Sequence, residues 1–503
     1  MAPWWQDAVV YQIYPRSFAD SDGDGVGDLE GIRGRLDYLR WLGVDAVWLS
    51  PIYPSPMADF GYDVSDYCDI DPVFGDLGTF DRLVTAAHER DIKVVLDWVP
   101  NHTSDQHPWF AQSRASRDSG KRDWYFWRDA PNNWVAAFSD DPAWTFDATT
   151  GQYYLHHFLP QQPDLNWSNP GVVAAMHDVL RFWLDRGVDG FRADVVHLIG
   201  RDPRLPDDPA DRAGVSRVGF HEHPQTHELL RGIRGVLDEY PGERMMVGEI
   251  NLDDSARIAA YYGHGDQLHL AFNFRPLFAP WDAAAWRDVI EDIEGAYRAA
   301  GAWPTWVLSN HDQPRHRSRY GSEERARAAA VLLLSLRGTP FLYAGEELGL
   351  SDAVVPPDRV VDPGGRDGCR APIPWDAAPD HGWGSVDPWL PWPPAPASRN
   401  VDSLQADPAS ILHRYRRLLT VRRSSVALRR GGLSLLTVPE GVLGFVRATP
   451  DEAAAVLVNF TDDHRDVALD RAWTVTVASD GLGEGSAFSG RLGPSQAVVL
   501  GPA

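Results

Sequence analysis

Short apolar runs alternating with amphipathic helices recur along most of the chain and leave few architectures open. The runs are residues 8–14 (Ala-Val-Val-Tyr-Gln-Ile-Tyr), 46–50, 93–97, 190–194, 245–249, a segment near 268–273, 305–309 and 339–343. Helical patterns lie between them at 36–42, 79–90, 172–186, 226–239, 284–299 and 323–336, with a last helix at about 409–423. This alternation implies parallel strands joined by right-handed crossovers. Eight such units is the count that closes a (β/α)8 barrel.

Two stretches interrupt the rhythm. Residues 102–168 follow the third strand and are rich in Trp, Asp, Pro and Asn, and residues 345–405 follow the eighth strand and are dense in Pro and Trp. Long loops after barrel strands sit on the catalytic face, so both are expected to wall a binding site. After about residue 428 only short β-like runs remain, such as 433–436, 442–446 and 454–458. The expected division is therefore 1–101 and 169–427 for the barrel, 102–168 for an inserted domain, and 428–503 for a C-terminal antiparallel β domain.

Composition excludes some partners. With 503 residues and a formal charge of -24, the chain lacks the basic face that nucleic acid or an anionic membrane would require. The first residues hold no basic cluster and no apolar segment of membrane-spanning length. Cys68 and Cys369 are the only cysteines and stand far apart, so no disulfide framework is indicated and a cytoplasmic location is expected. Twenty-one tryptophans suit a large core and also suit stacking on sugar rings.

The polar residues at strand ends carry the chemistry. The third strand ends Asp97-Trp98-Val99-Pro100-Asn101-His102, and the fourth carries Arg192 and Asp194. The fifth ends in Glu249, and the seventh runs into Ser309-Asn310-His311-Asp312. Residues two apart on a strand share a face, so Arg192 and Asp194 emerge together, and the arginine is expected to keep the carboxylate ionised. Carboxylates converging on one barrel mouth push their pKa values apart, which suits a nucleophile and a proton donor working as a pair.

These stretches resemble the conserved regions of glycoside hydrolase family 13, the α-amylase family. Gln162-Pro163-Asp164-Leu165-Asn166 resembles a fifth region, in the form carried by the α-glucosidase and oligo-1,6-glucosidase branch. The resemblance implies Asp194 as nucleophile, Glu249 as acid/base and Asp312 as stabiliser of an oxocarbenium-like transition state. It also implies that Asp59, Tyr62, His102, Phe158, Gln162, Arg192 and His311 bind the sugar, with Arg399 pairing with Asp59 at the closed end. The expected activity is that of a retaining, exo-acting α-glucosidase on short oligosaccharides, working without an organic cofactor as a monomer or small homo-oligomer. A transglucosylase or isomerase forming trehalose or isomaltulose is the alternative on the same scaffold.

The loop Asp20-Ser21-Asp22-Gly23-Asp24-Gly25-Val26-Gly27-Asp28 places oxygen ligands at alternate positions, as in the first part of an EF-hand loop, although Gly31 stands where that motif has its last carboxylate. The family resemblance implies a structural calcium held by Asp20, Asp22, Asp24 and Asp28 and by the carbonyl of Val26. Two other stretches are read as background. His221-Glu222-His223 lacks a third metal ligand at suitable spacing, and Gly364-Gly365-Arg366-Asp367-Gly368 lacks the strand–loop–helix context of a phosphate site. Linkage preference is divided. In this branch Val195 after the nucleophile goes with α-1,6 bonds, whereas the stretch from Val247 to Asp254 resembles α-1,4-acting members.

Overall fold

The computed structural model describes residues 2–139, 141–209 and 222–503. Its centre is a parallel sheet of eight strands: Val10–Ile13, Ala46–Leu49, Lys93–Trp98, Gly190–Ala193, Met245–Gly248, Leu270–Ala271, Thr305–Val307 and Thr339–Tyr343. Each strand lies beside its neighbours in sequence, and the first pairs with both the second (Val10 with Ala46) and the eighth (Val10 with Phe341). The ring is therefore closed except between the sixth and seventh strands. There the Thr305 hydroxyl donates to the Ala271 carbonyl at 2.9 Å, so a side chain spans the seam.

Alternation along the strands separates two cores. Val10, Ala46, Trp48, Val95, Met245, Val247, Val307 and Phe341 point inward and fill the barrel. Tyr11, Val47, Val94, Leu96, Phe191 and Met246 point outward under the helices. Both faces are buried, as a parallel sheet requires. Because the period is two, the inward set continues past Val95 to Asp97, past the outward Phe191 to Arg192 and Asp194, and past Val247 to Glu249. Asp97 and Arg192 stand directly opposite each other in the register. The fourth and fifth strands pass so closely that a Cβ at Gly190 would come within 2.4 Å of the Met245 carbonyl oxygen.

The helices follow local chemistry. Pro170–Asp185 begins after Asn169, whose side chain accepts from the Gly171 N–H, and Ala283–Ala300 is capped by Asp282 and stopped by left-handed Gly301 at φ 65°. The sixth strand is shorter than the expected segment, and the seventh ends at Val307 and not at 309. Residues 102–168 contain a three-stranded antiparallel sheet of Trp127–Arg128, Gln152–Leu155 and Trp144–Asp147. Its own small core includes Trp134, Trp144 and Leu155. At the C-terminus five antiparallel strands form a sheet. One face of it, with Leu443, Phe445 and Val456, joins the main core, and the other, with Leu457, Val475 and Val498, is a separate cluster. Among the described residues no helix is long and apolar enough to cross a membrane.

Candidate active site

At the C-terminal ends of the strands lies a cavity of about 320 Å3 lined by Asp59, Tyr62, His102, Phe158, Asp194, Val195, Glu249, Asp312 and Arg366, among others. Arg192 organises its base. One guanidinium nitrogen donates to Asp97 at 2.7 Å and to Asp194 at 2.8 Å, and the other donates to Glu249. Asn251 donates to the second Glu249 oxygen at 2.9 Å. Asp97 also accepts from the Tyr62 hydroxyl at 3.0 Å and the Trp48 indole at 3.1 Å, so it serves as an anchor.

One cation faces three buried carboxylates, and this corrects the expectation that Arg192 simply keeps Asp194 ionised. Burial pushes the Asp194 carboxyl well above its ordinary range, Arg192 opposes this, and the charges of Glu249 and Asp97 add to the rise. Ionising Asp194 in the ligand-free site is therefore opposed by its carboxylate neighbours as well as by burial. Asp312 behaves in the opposite way. Burial works to raise it, but His311, Arg366, Arg370 and Arg192 outweigh burial and hold it below the ordinary value.

Val195, directly after Asp194, has φ 33° and ψ 40°. A β-branched residue in the left-handed region costs on the order of 1–3 kcal/mol and is held only by its surroundings. Here its N–H faces Glu249 at 3.4 Å and its carbonyl accepts from Leu198 at 2.9 Å. The strained turn presents the Val195 side chain to the cavity.

The far end of the cavity is closed by an ion cluster. Arg366 donates to Asp59 at 2.6 Å, to Asp312 at 3.0 Å and to Asp362 at 2.6 Å. Arg370 adds a contact to Asp312 at 3.1 Å. The expected partner of Asp59, Arg399, is elsewhere: it contacts Glu323 and donates to the Leu348 carbonyl at 2.8 Å. The physical reason is the course of the long loop after the eighth strand. It brings its first half, with Arg366 and Arg370, over the barrel mouth, whereas Arg399 reaches the start of the helix Glu323–Ser335. Sequence reasoning set Arg366 aside because its glycine-flanked stretch fails as a phosphate loop. Its place after a barrel strand puts it on the catalytic face, but Arg399 shares that place, so only the course of the loop separates them.

The remaining expected residues converge. Gln162 donates to Asp59 at 3.0 Å and lies 3.1 Å from His102, while the Phe158 ring packs 5.2 Å from that of His102. The Tyr62 ring is parallel to His311, with centroids 5.4 Å apart. Gln12 donates to Nδ1 of His311 at 2.7 Å, which leaves the ring proton on Nε2, 2.7 Å from the Tyr62 hydroxyl. Of the two stretches read as background, His221 lies outside the described residues and Glu222 accepts from Arg257 at 2.9 Å.

Burial pushes His102 and His157 down to about 4, and His107, His269, His311 and His316 down to about 3. Unfolded, these rings would protonate near pH ~6.5. Their contribution to stability is therefore complete above that pH and is lost as pH falls towards 4 and then 3. Each group costs about 1.4 kcal/mol per pH unit inside this window. The urea unfolding midpoint is expected to fall continuously below pH 6.5; a midpoint constant down to pH 4.5 would contradict the neutral, buried state of these rings.

In the acidic loop the carboxylate oxygens of Asp20, Asp22 and Asp28 lie within 4.8 Å of one another. Asp24 is not in that group; it accepts from the Val26 N–H at 2.7 Å. Asp20 accepts backbone N–H groups of Asp22, Gly23 and Gly25 at 2.7–3.0 Å, which wraps the loop around its side chain.

The closed parallel barrel and the arginine-bridged carboxylates at its mouth define the class, a (β/α)8 glycoside hydrolase. The chain belongs to the alpha-amylase family, glycoside hydrolase family 13: the family model "Alpha amylase, catalytic domain" matches residues 12–431. A probable alpha-glucosidase of Rhizobium meliloti (strain 1021) is 43% identical over 500 residues, covering 92% of this chain and 90% of the relative. The oligo-1,6-glucosidase of Parageobacillus thermoglucosidasius is 37% identical, covering 91% of each. Among solved structures, the alpha-glucosyl transfer enzyme XgtA superposes with a TM-score of 0.92 at 40% identity over 100% of both chains. The trehalulose synthase MutB of Pseudomonas mesoacidophila MX-45 gives 0.92 at 32% identity, again over 100% of both.

Proposed function

We propose that this protein is a retaining, exo-acting α-glucosidase that releases terminal non-reducing glucose from short α-linked oligosaccharides such as maltose or isomaltose. The observation that carries this reading is the closed end of the cavity, where Arg366 ties Asp59 to Asp312. A cavity closed there admits a chain end and stops a polysaccharide from threading through. Asp59, His102 and Asp312 line the cavity and supply polar contacts for one sugar, Gln162 and His311 stand behind them and hold Asp59 and Tyr62, and Tyr62 and Phe158 give its apolar walls.

Asp194 attacks the anomeric carbon, and Glu249 protonates the departing oxygen and then activates water. Sharing one guanidinium holds these two carboxyls side by side, as a double displacement requires, which in general calls for roughly 5–5.5 Å between them. Positive charge developing at the anomeric carbon favours ionised Asp194, while the leaving oxygen takes its proton from Glu249. Residues 102–168 act as an inserted domain whose Phe158 walls the pocket and whose Gln162 supports Asp59, and residues 428–503 act as a stabilising domain. The free cysteines Cys68 and Cys369 support a cytoplasmic setting.

Val195 and the stretch after Glu249 point to different linkages, and the relatives' names include both, so the preference is proposed to be broad. Assaying maltose, isomaltose, kojibiose, nigerose, sucrose and trehalose side by side tests this. Free glucose is expected from maltose and isomaltose; an isomeric disaccharide without free glucose would replace hydrolysis by the transglucosylase reading, which the likeness to XgtA and MutB supports.

The donor set of the acidic loop is all oxygen and negatively charged, which fits a hard cation such as Ca2+. Asp20, Asp22 and Asp28 would hold it, the family resemblance adds Asp24 and the Val26 carbonyl, and the ion would serve structurally by neutralising crowded carboxylates ahead of the helix Leu29–Gly34. EDTA is expected to lower the melting temperature by several degrees and added Ca2+ to restore it. An unchanged melting temperature together with no metal in elemental analysis would remove calcium from the description.

A further inference from the structure

Behind His102 a chain of buried polar groups runs away from the cavity to Arg201, in the loop after the fourth strand. Arg201 donates to the Asn101 side-chain oxygen at 2.6 Å, to Asp164 at 2.6 Å and to the Leu198 carbonyl at 3.1 Å. A guanidinium has donors and no acceptor, so the Asn101 atom facing it is the amide oxygen. The amide NH2 is thereby turned the other way, 3.2 Å from Asp164 Oδ1 and 3.1 Å from His102 Nδ1. An amide nitrogen only donates, so Nδ1 of His102 holds the lone pair and Nε2 carries the proton.

The other side of the ring agrees. Nε2 lies 3.2 Å from the Tyr62 carbonyl oxygen, which can only accept. Gln162 accepts from the Leu159 N–H at 3.0 Å, which turns its own NH2 towards Asp59 and places it 3.1 Å from the same Nε2. His102 lines the cavity, and its Nε2–H beside the Gln162 amide offers a donor to an oxygen acceptor such as a sugar hydroxyl. Were the Asn101 amide reversed, its oxygen would accept from Nδ1, and Nε2 would become an acceptor satisfied by Gln162. That state would set the Asn101 oxygen against Asp164 Oδ1 and the Nε2 lone pair against the Tyr62 carbonyl, so these contacts select against it together with the one from Arg201.

We propose that Arg201 is a positioning residue that fixes the Asn101 amide, sets the tautomer of His102 and so keeps a hydrogen-bond donor on the cavity side. The test uses the full-length protein labelled with [15N]histidine, in which long-range proton–nitrogen correlations report which ring nitrogen is protonated; the His102 signal is the one absent from His102→Gln. In the wild type His102 should be a single species with its proton on Nε2. Arg201→Lys, another side chain with donors only, should keep that species. Arg201→Gln, whose amide can accept as well as donate, should shift His102 towards Nδ1–H and lower kcat/KM for 4-nitrophenyl α-glucoside about tenfold.

A wild-type proton on Nδ1 overturns the proposal, and this measurement decides the matter if a variant does not fold. An unaltered tautomer in Arg201→Gln overturns it as well, and an altered tautomer with unchanged kcat/KM removes the positioning role. Only the kinetic arm rests on the glucosidase reading: a wild type inert towards the glucoside would sink that reading while the spectrum still judges the tautomer.

Discussion

Asp194→Asn is expected to reduce release of nitrophenol from 4-nitrophenyl α-glucoside by about ten-thousand-fold or more, the scale on which a covalent nucleophile is lost. The amide keeps the shape of the carboxylate and can still accept from Arg192, which donates to Asp194 at 2.8 Å in the native site. It cannot supply the electron pair that forms a stable bond to the anomeric carbon. The substitution also removes one of three carboxylates facing a single guanidinium, which relieves like-charge repulsion in a buried site. The melting temperature should therefore hold or rise while activity disappears. A variant that keeps substantial activity with a normal melt would show that another group attacks the sugar.

For Glu249→Gln the expected loss is smaller and depends on the leaving group. With maltose, whose departing hydroxyl needs a proton, turnover should fall by about 10^2 to 10^4-fold. With nitrophenolate, which leaves without protonation, the first step should survive and the glucosyl-enzyme should accumulate as a burst, because water lacks its base. Azide needs no deprotonation and should restore turnover, giving α-glucosyl azide if the mechanism retains configuration. Glutamine has one acceptor oxygen where glutamate uses two, so it keeps the Arg192 contact, and the Asn251 amide must turn or lose its partner. Absence of rescue by azide would take the acid/base role away from Glu249. Together the two variants separate attack from proton transfer, which neither does alone.

The parts legible before the structure are those governed by local periodicity. The eight strands and the helices between them follow from alternating apolar residues and capped helices such as Pro170–Asp185. Strand ends could be read for chemistry because a barrel sends all of them to one rim. The parts that were not legible lie in segments without a period. The short helices Ser255–Ala260, Arg275–Phe278 and His316–Tyr320 are too brief to leave a pattern. Arg366 and Arg399 stand in the same aperiodic loop, and nothing in its composition distinguishes the one that reaches Asp59.

By itself, the order of residues determined the barrel, the family and the three carboxylates at the ends of its strands, because alternation and strand direction are short-range properties of the chain. Only the tertiary structure decided how those carboxylates are paired and what closes the pocket. One guanidinium is shared among Asp97, Asp194 and Glu249, and Asp59 and Asp312 are joined by Arg366. The reason is physical: ionisation and pocket shape depend on burial and on contacts between residues as far apart as Asp59 and Arg366, and these exist only once the chain has closed around them.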